Sequence, residues 1–503
     1  MAFSCVTSAS VQGGEVIPVR IEVSIQRGLP LFTIVGYPDR RLGEARERVR
    51  LAFYNSGFKF PSGKVTVNLC PVELPKQGSG FDLGIALAIL QAQGKVPTLP
   101  ARHWVIGSLS LNGEVQAFSS LLPILLKART LGSEGCIIPP ITSLELSLVS
   151  DCPTYSVKSL SGLITALHQS FTFLKPVPTK SKLSSAKRAN YLFDQIYGQP
   201  LAKRVLHIAL AGGHSLFLTG SPGVGKTMLV RAGQELLPDL NQEEASELGY
   251  FYSLVGQKAS SQNCPPLREP HPSSKLSMIV GGGNGLKPGE LTLASKGILF
   301  LDEFPAFRRE VREGFRQPLQ DKKISLGRAG QGIIYPADCL IIAAQNLCPC
   351  GRLGMTGERC TCGPGEMAKY GRLISQPILD RFDLFMTLTN LNYQKWQKRG
   401  EKEYLSAAEV ANSIQAVREV QLQRLGKGRL NADLTSHELE QFTCLDTESK
   451  EYLERAIRVY SLTGRSLDKV LRVARTIADI GGSDKLTMQH LQEATQYRRR
   501  ADS

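Results

Sequence analysis

Two short segments hold the residues with the clearest chemistry. The first is Gly220-Ser221-Pro222-Gly223-Val224-Gly225-Lys226-Thr227. Its glycines let the backbone wrap tightly and aim N–H groups at phosphate oxygens. Lys226 reaches the β- and γ-phosphates, and the Thr227 hydroxyl completes a magnesium shell. The second is Asp302-Glu303. Asp302 can hold magnesium directly or through water, and Glu303 can polarise the attacking water as general base. The pair of segments describes hydrolysis of ATP or GTP by a motor or switch.

Such groups work only if regular elements place them. The apolar run Leu216 to Leu218 reads as a buried strand and Met228 to Leu237 as a helix, the strand–loop–helix order a phosphate loop needs. The helix N-terminus adds the positive end of its dipole. Gly297 to Leu301 reads as a second buried strand, ending in the two carboxylates. Leu340 to Gln345 reads as a third, followed by Asn346, whose amide can orient the attacking water and sense the γ-phosphate.

Four of the eleven cysteines cluster as Cys348-Pro-Cys350 and Cys360-Thr-Cys362. Thiols in paired spacing can bind zinc tetrahedrally, although C-x-C is tighter than the usual C-x2-C. Redox-sensitive or plain loop thiols are the other reading of the same spacing. The remaining seven are scattered, which fits small buried apolar residues rather than a disulfide framework.

The chain has 503 residues, 42% of them hydrophobic and 21% charged. Two to four globular domains are expected. No apolar run is long enough to span a membrane and no signal peptide is evident, so the expected location is cytoplasmic. The net charge of +15 suits an anionic partner such as nucleic acid.

Taken in order, residues 1–172 read as an α+β unit. Val16 to Ile25 alternates as a half-buried strand, Phe32 to Val35 and Lys64 to Leu69 are further strands, and Leu42 to Asn55 and Gly84 to Ala92 are helices. Residues 173–190, rich in Pro, Ser and Lys, read as a linker. Residues 191–395 hold the nucleotide segments, with an insertion at 241–296 whose glycines suggest a flexible loop. Helical periodicity runs through 396–503, with helices over Ala407–Leu422, Ser449–Tyr460, Ser466–Ile480 and Thr487–Arg500.

Several of these stretches resemble a known family. Thr33-Ile-Val-Gly-Tyr-Pro-Asp39, Glu44-Ala-Arg-Glu-Arg-Val-Arg50, Val67-Asn-Leu-Cys-Pro71 and Lys76-Gln-Gly-Ser-Gly-Phe-Asp82 look like the N-terminal domain of ComM/YifB proteins. The resemblance implies a Lon-protease-like fold (ribosomal S5 domain 2-like) there, an AAA+ core and a helical lid. Asp82 stands where a Lon serine would be and the matching lysine position falls near Leu122, so a working dyad is not expected, with Ser79 the one nearby serine. A scaffold or DNA-binding role is preferred, with Arg40, Arg41, Arg46, Arg48 and Arg50 as phosphate-contact candidates.

By the same resemblance, Ile196 and Tyr197 pack on the adenine and Asn346 is sensor 1. Arg381, in Ile374-Ser-Gln-Pro-Ile-Leu-Asp-Arg-Phe-Asp383, is a finger reaching a neighbour's γ-phosphate. Arg465 is the sensor 2 arginine reaching back in cis, with Arg472 as alternative. Lys322 to Leu326 and Gly332 to Tyr335 form a hairpin like the pore hairpin of MCM-type helicases, with Lys322, Lys323 and Arg328 as DNA contacts. The function implied is a homo-hexameric, ATP- and Mg2+-dependent DNA motor for branch migration in natural transformation, with zinc possible at the four thiols. A magnesium-chelatase-type motor and a MoxR-like protein remodeller are the alternatives.

Overall fold

The computed structural model describes residues 2–12, 14–36, 40–71, 80–100, 102–142, 148–149, 152–169, 191–257, 263–283, 286–328, 331–355, 357–390, 404–426, 428–460 and 462–499. The expected linker at 173–190, Ser79 and Arg500 lie outside these residues, as do the side chains of Arg40, Arg41 and Arg328.

The N-terminal part is built on a seven-stranded sheet. Its order is Leu31–Val35, Lys64–Cys70, Glu15–Gln26, Ala2–Gln12, His103–Val105, Gly135–Ile138 and Thr154–Ser156. Glu15–Gln26 pairs antiparallel with both of its neighbours; the other pairings are parallel. The expected strands are present, and Ala2–Gln12, which the sequence reading passed over, is a central strand. The helix Asp82–Ala92 is buried from Asp82 through Gln91, as an element apolar on every face must be. Asp82 survives there because it is paired: Arg48 Nε and Nη2 donate to its carboxylate at 2.8 and 3.2 Å. Ser108 Oγ and the Leu109 N–H add to it at 3.3 Å each. Arg48 is therefore committed to an internal ion pair rather than to a phosphate-contacting face.

The central part is a five-stranded, all-parallel sheet. Its order is Leu267–Arg268, Ile298–Leu301, Leu340–Gln345, Leu216–Thr219 and Leu384–Thr387. Parallel strands covered on both faces are continuous apolar runs. Leu216 to Leu218, Ile298 to Leu301 and Leu340 to Ala344 are all buried accordingly. Those three runs are the ones legible in sequence, and they are the three central strands.

The insertion at 241–296 departs from the flexible loop expected of it. It opens with a helix, Gln242–Leu254, whose Asn241 and Glu244 form a capping box. A strand of the main sheet, Leu267–Arg268, follows. The glycines do permit close backbone approach: a Cβ on Gly289 would lie 2.3 Å from the Gly281 nitrogen. The insertion also carries the contact with the N-terminal part. Ser246 Oγ donates to the Leu148 carbonyl at 3.1 Å, and Tyr250 donates to the Gly14 carbonyl.

The C-terminal helices are Ala407–Leu425, Ser436–Phe442, Thr447–Val459, Gly464–Ile480 and Met488–Gln496. The last ends short of the expected Arg500, and Ser436–Phe442 is additional. They seat on the helix Pro200–Gly212 of the central part. Arg204 pairs with Glu493 at 2.8 Å, and Arg418 donates through Nη2 to the Leu210 carbonyl at 2.7 Å.

Candidate nucleotide site

The phosphate loop leaves the C-terminal end of Leu216–Thr219 and enters the helix Lys226–Leu236. Ligands of open parallel sheets bind at this end of the strands. Gly223 and Gly225 have φ of +75° and +98°, the left-handed region an ordinary side chain avoids. Lys226 Nζ donates to the Gly220 and Ser221 carbonyls at 2.6 and 3.1 Å, and to Asn346 Oδ1 at 2.9 Å. Burial lowers the Lys226 pKa, with Asp302 and Glu303 opposing that shift. Thr227 Oγ1 lies 3.3 Å from Asp302 Oδ2, so the two expected magnesium ligands face each other. Lys226, Thr227, Asp302 and Asn346 thus converge although the sequence spreads them over more than a hundred positions.

Glu303 follows Asp302 with φ of +50°, uncommon for a side-chain-bearing residue, and its N–H donates to Asp302 Oδ1 at 2.9 Å. Backbone outliers of this kind concentrate at functional sites. A residue absent from the sequence reading joins here. Tyr370, half-buried on the helix Pro364–Gly371, has its hydroxyl pKa raised by burial, against a hydrogen bond from the Asn346 backbone and with the Glu303 charge adding to the rise. Nothing in the spacing of Tyr370 from the other motifs could have placed it.

Arg381 and Arg465 lie elsewhere. Asp383, two residues after Arg381, accepts from the Ser215 N–H at 3.0 Å and from Ser215 Oγ at 2.9 Å. Ser215 precedes the same strand whose far end opens into the phosphate loop. Four strand residues separate the two ends by about 13 Å. Lys469, on the helix Gly464–Ile480, pairs with Asp383 at 2.8 Å and donates to the Arg381 carbonyl. This buried knot fastens the Arg381 loop to the C-terminal helices. The Asp383 carboxyl is held far below its ordinary range: burial opposes this, and Lys469 and His214 outweigh burial.

Arg381, Arg465 and Arg472 line one cavity of about 530 Å³. Burial lowers the Arg381 pKa, and Arg465 and Arg316 add to the effect. The Nε atoms of Arg381 and Arg472 are buried without a hydrogen-bond partner. The cis role expected of Arg465 is not what this placement offers, because Arg465 stands with Arg381 on the side remote from the chain's own phosphate loop.

Residues 192–396 match the family described as "Magnesium chelatase, subunit ChlI", residues 21–141 "Subunit ChlI of Mg-chelatase", and residues 405–498 "Magnesium chelatase, subunit ChlI C-terminal". Over nearly its whole length the chain is 37% identical to competence protein ComM of Haemophilus influenzae, covering 99% of this chain and 98% of that one. It is also 37% identical to YifB of Escherichia coli, covering 99% and 97%. The chain belongs to the ComM/YifB family. A shorter match, 27% identical over 203 residues, links 38% of the chain to 20% of the DNA replication licensing factor Mcm2 of Drosophila melanogaster. The parallel sheet, phosphate loop and helical C-terminus are those of an AAA+-type ATPase, a class whose cofactors are ATP and Mg2+.

Within this ComM/YifB chain the other expected site residues fall as follows. Ile196 packs on the core beside Phe193, and Tyr197 is 42% exposed. The hairpin is present as Lys323–Arg328 paired with Gln331–Pro336. Lys323 is exposed and opens the hairpin, opposite Pro336 at its base. Lys322, just before it, pairs with Asp433 at 2.6 Å and Asp338 at 3.5 Å. The DNA contact expected of Lys322 is replaced by that internal pairing. The sulfur atoms of Cys348, Cys350, Cys360 and Cys362 all lie within 4.8 Å of one another. Among the described residues, no helix is long and apolar enough to cross a membrane.

Proposed function

We propose that the protein is an ATP-driven DNA motor that works as a homo-hexameric ring and migrates DNA branches during natural transformation and recombination. The observation that carries this reading is the split site. One end of the strand Leu216–Thr219 bears the phosphate loop, and the other bears Arg381 and Arg465. A chain so built completes its nucleotide site only with the arginines of a neighbour, and repetition of that head-to-tail contact closes a ring.

In the cycle, Lys226 and the loop N–H groups hold the phosphates. Thr227 and Asp302 would hold Mg2+, which would supply neutralisation of phosphate charge. Glu303 takes a proton from the attacking water, and Asn346 orients that water. The neighbour's Arg381, with Arg465 beside it, stabilises charge in the transition state. Lys469 passes lid movement to the Arg381 loop, and the hairpin contacts DNA through Lys323. The N-terminal part belongs to this reading as a Lon-like scaffold without a protease dyad, since Asp82 is committed to Arg48. The four clustered thiols belong to it as a structural Zn2+ centre.

The test is ATP hydrolysis with and without single-stranded and branched DNA. Strong stimulation that Lys226→Ala abolishes and Lys323→Ala weakens is expected. Hydrolysis indifferent to every DNA overturns the DNA motor and leaves the remodelling motor that the magnesium-chelatase likeness favours.

A further inference from the structure

The four-thiol cluster touches the phosphate loop. Gly351 and Gly354 lie between the two cysteine pairs, with φ of +75° and +79°. A Cβ on Gly351 would stand 2.9 Å from Pro222 Cγ, and one on Gly354 would stand 3.3 Å from Ser221 Oγ. Pro222 and Ser221 belong to the phosphate loop. The bare glycine backbone of the cysteine loop therefore lies directly against it. The other side of this loop is tied down as well: Asn390 donates to the Gly354 carbonyl. Cys348 itself follows Asn346 by two residues, so the same segment leads straight from the sensor amide into the cluster.

The cluster fits one soft divalent ion. A tetrahedral ion with bonds of about 2.3 Å to sulfur requires sulfur–sulfur separations of about 3.8 Å. Cys348 and Cys350 are 3.4 Å apart, Cys350 and Cys360 3.7 Å, and no pair exceeds 4.8 Å. The Leu353 N–H donates to Cys348 Sγ at 3.3 Å, the outer hydrogen bonding that orients metal thiolates. Four thiolate ligands close the coordination shell and leave no position for substrate, which makes the centre structural and not catalytic.

We infer that this centre is a clamp on the phosphate loop: Zn2+ bound by Cys348, Cys350, Cys360 and Cys362 sets the affinity of the site for nucleotide. The inference rests on the ATPase reading above. On binding, each thiol gives its proton to solvent and the ion ties two chain segments separated by nine residues into one rigid loop. That rigid loop presses Gly351 and Gly354 against Pro222 and Ser221 and holds the loop in its phosphate-binding shape. Without the ion, the segment keeps the Leu353 and Asn390 hydrogen bonds, the Gly351 N–H bond to the Cys348 carbonyl and the Arg352–Glu358 ion pair, but it loses the link between its two cysteine pairs, and the phosphate loop loses that support.

The experiment measures metal content, fluorescent ATP-analogue binding and thermal unfolding on the full chain, first loaded, then stripped with a thiol reagent and chelator, then reloaded with Zn2+. One zinc per chain is expected, and Co2+ substitution should give the charge-transfer absorption of tetrahedral thiolates. Stripping should weaken nucleotide binding by on the order of tenfold, with recovery on reloading. Cys362→Ser, at a half-exposed position, should lose the metal and bind nucleotide like the stripped chain. Gly354→Ala keeps all four thiols. It should retain zinc yet weaken nucleotide binding, a result a purely local metal knob would not give. Zinc bound with nucleotide affinity unchanged by stripping overturns the clamp. So does the absence of zinc from protein purified and reloaded without chelator. Loaded protein whose weak nucleotide binding matches that of Lys226→Ala overturns the ATPase reading itself, and the clamp with it.

Discussion

Glu303 carries a backbone conformation that costs of the order of 1–3 kcal/mol and is kept only where surrounding structure enforces it. Its N–H is held by the Asp302 carboxylate, the same group that faces Thr227. In the proposed cycle the bend gives two successive residues two tasks: Asp302 as a magnesium ligand and Glu303 as the base for the attacking water. Glu303→Gln keeps the shape and removes the base. Hydrolysis should fall by roughly 10²- to 10⁴-fold while ATP affinity stays within about twofold, measured by steady-state hydrolysis beside equilibrium binding. Equal losses in binding and rate would show that Glu303 supports the loop and does not take the proton.

At the scale of elements, the seam between the C-terminal helices and the nucleotide core holds two buried histidines. His207 bonds Tyr404 and Ser413 at 3.0 Å each, and His214 Nε2 bonds Thr476 Oγ1 at 2.7 Å. Burial holds both rings down at about 4, with Arg204 adding to the shift of His207. Both are neutral in the folded chain, whereas the unfolded chain takes up protons from about pH 6.5. The stability they allow is complete above pH 6.5, declines as pH falls toward 4 and levels off below that. His214 alone should account for about 2 kcal/mol between pH 7 and pH 5. His214→Gln should therefore start less stable at pH 7 and show a flatter decline, read from denaturant midpoints across that range. A slope unchanged by the substitution would remove His214 as its source.

For the whole molecule, the decisive relation is between the two ends of one strand. Arg381→Ala should reduce hydrolysis by on the order of a thousandfold, as loss of an arginine finger does. Lys226→Ala should be inactive for a different reason. Mixing equal amounts and letting rings reassemble creates interfaces with an intact phosphate loop on one side and an intact arginine on the other. By symmetry these are about a quarter of all interfaces, so activity should return to that order. No recovery on mixing would place Arg381 in its own chain's site.

The reach of the sequence follows from which interactions are local. The residues from Gly220 to Thr227 lie next to each other in the chain, and their backbone demands are met by neighbours, so glycine placement alone declares the loop. The buried strands at Leu216–Leu218, Ile298–Leu301 and Leu340–Ala344 were equally legible, because a strand covered on both faces has to be apolar throughout. The four cysteines announced a cluster by their spacing. Other features depend on segments far apart in the chain, and only folding brings them together. Lys322 reads as a pore residue in the sequence, but Asp433, in the turn Asn431–Asp433 between two C-terminal helices, pairs with it in the fold. Arg465 looked like a partner of its own phosphate loop until the tertiary structure set it beside Arg381. Tyr370 gave no local signal, and the glycine-rich insertion hid a capped helix and a strand of the main sheet. Local backbone chemistry was enough to name the reaction; which end of the sheet each charge stands at was decided by the tertiary fold, because it depends on contacts between segments far apart in the chain.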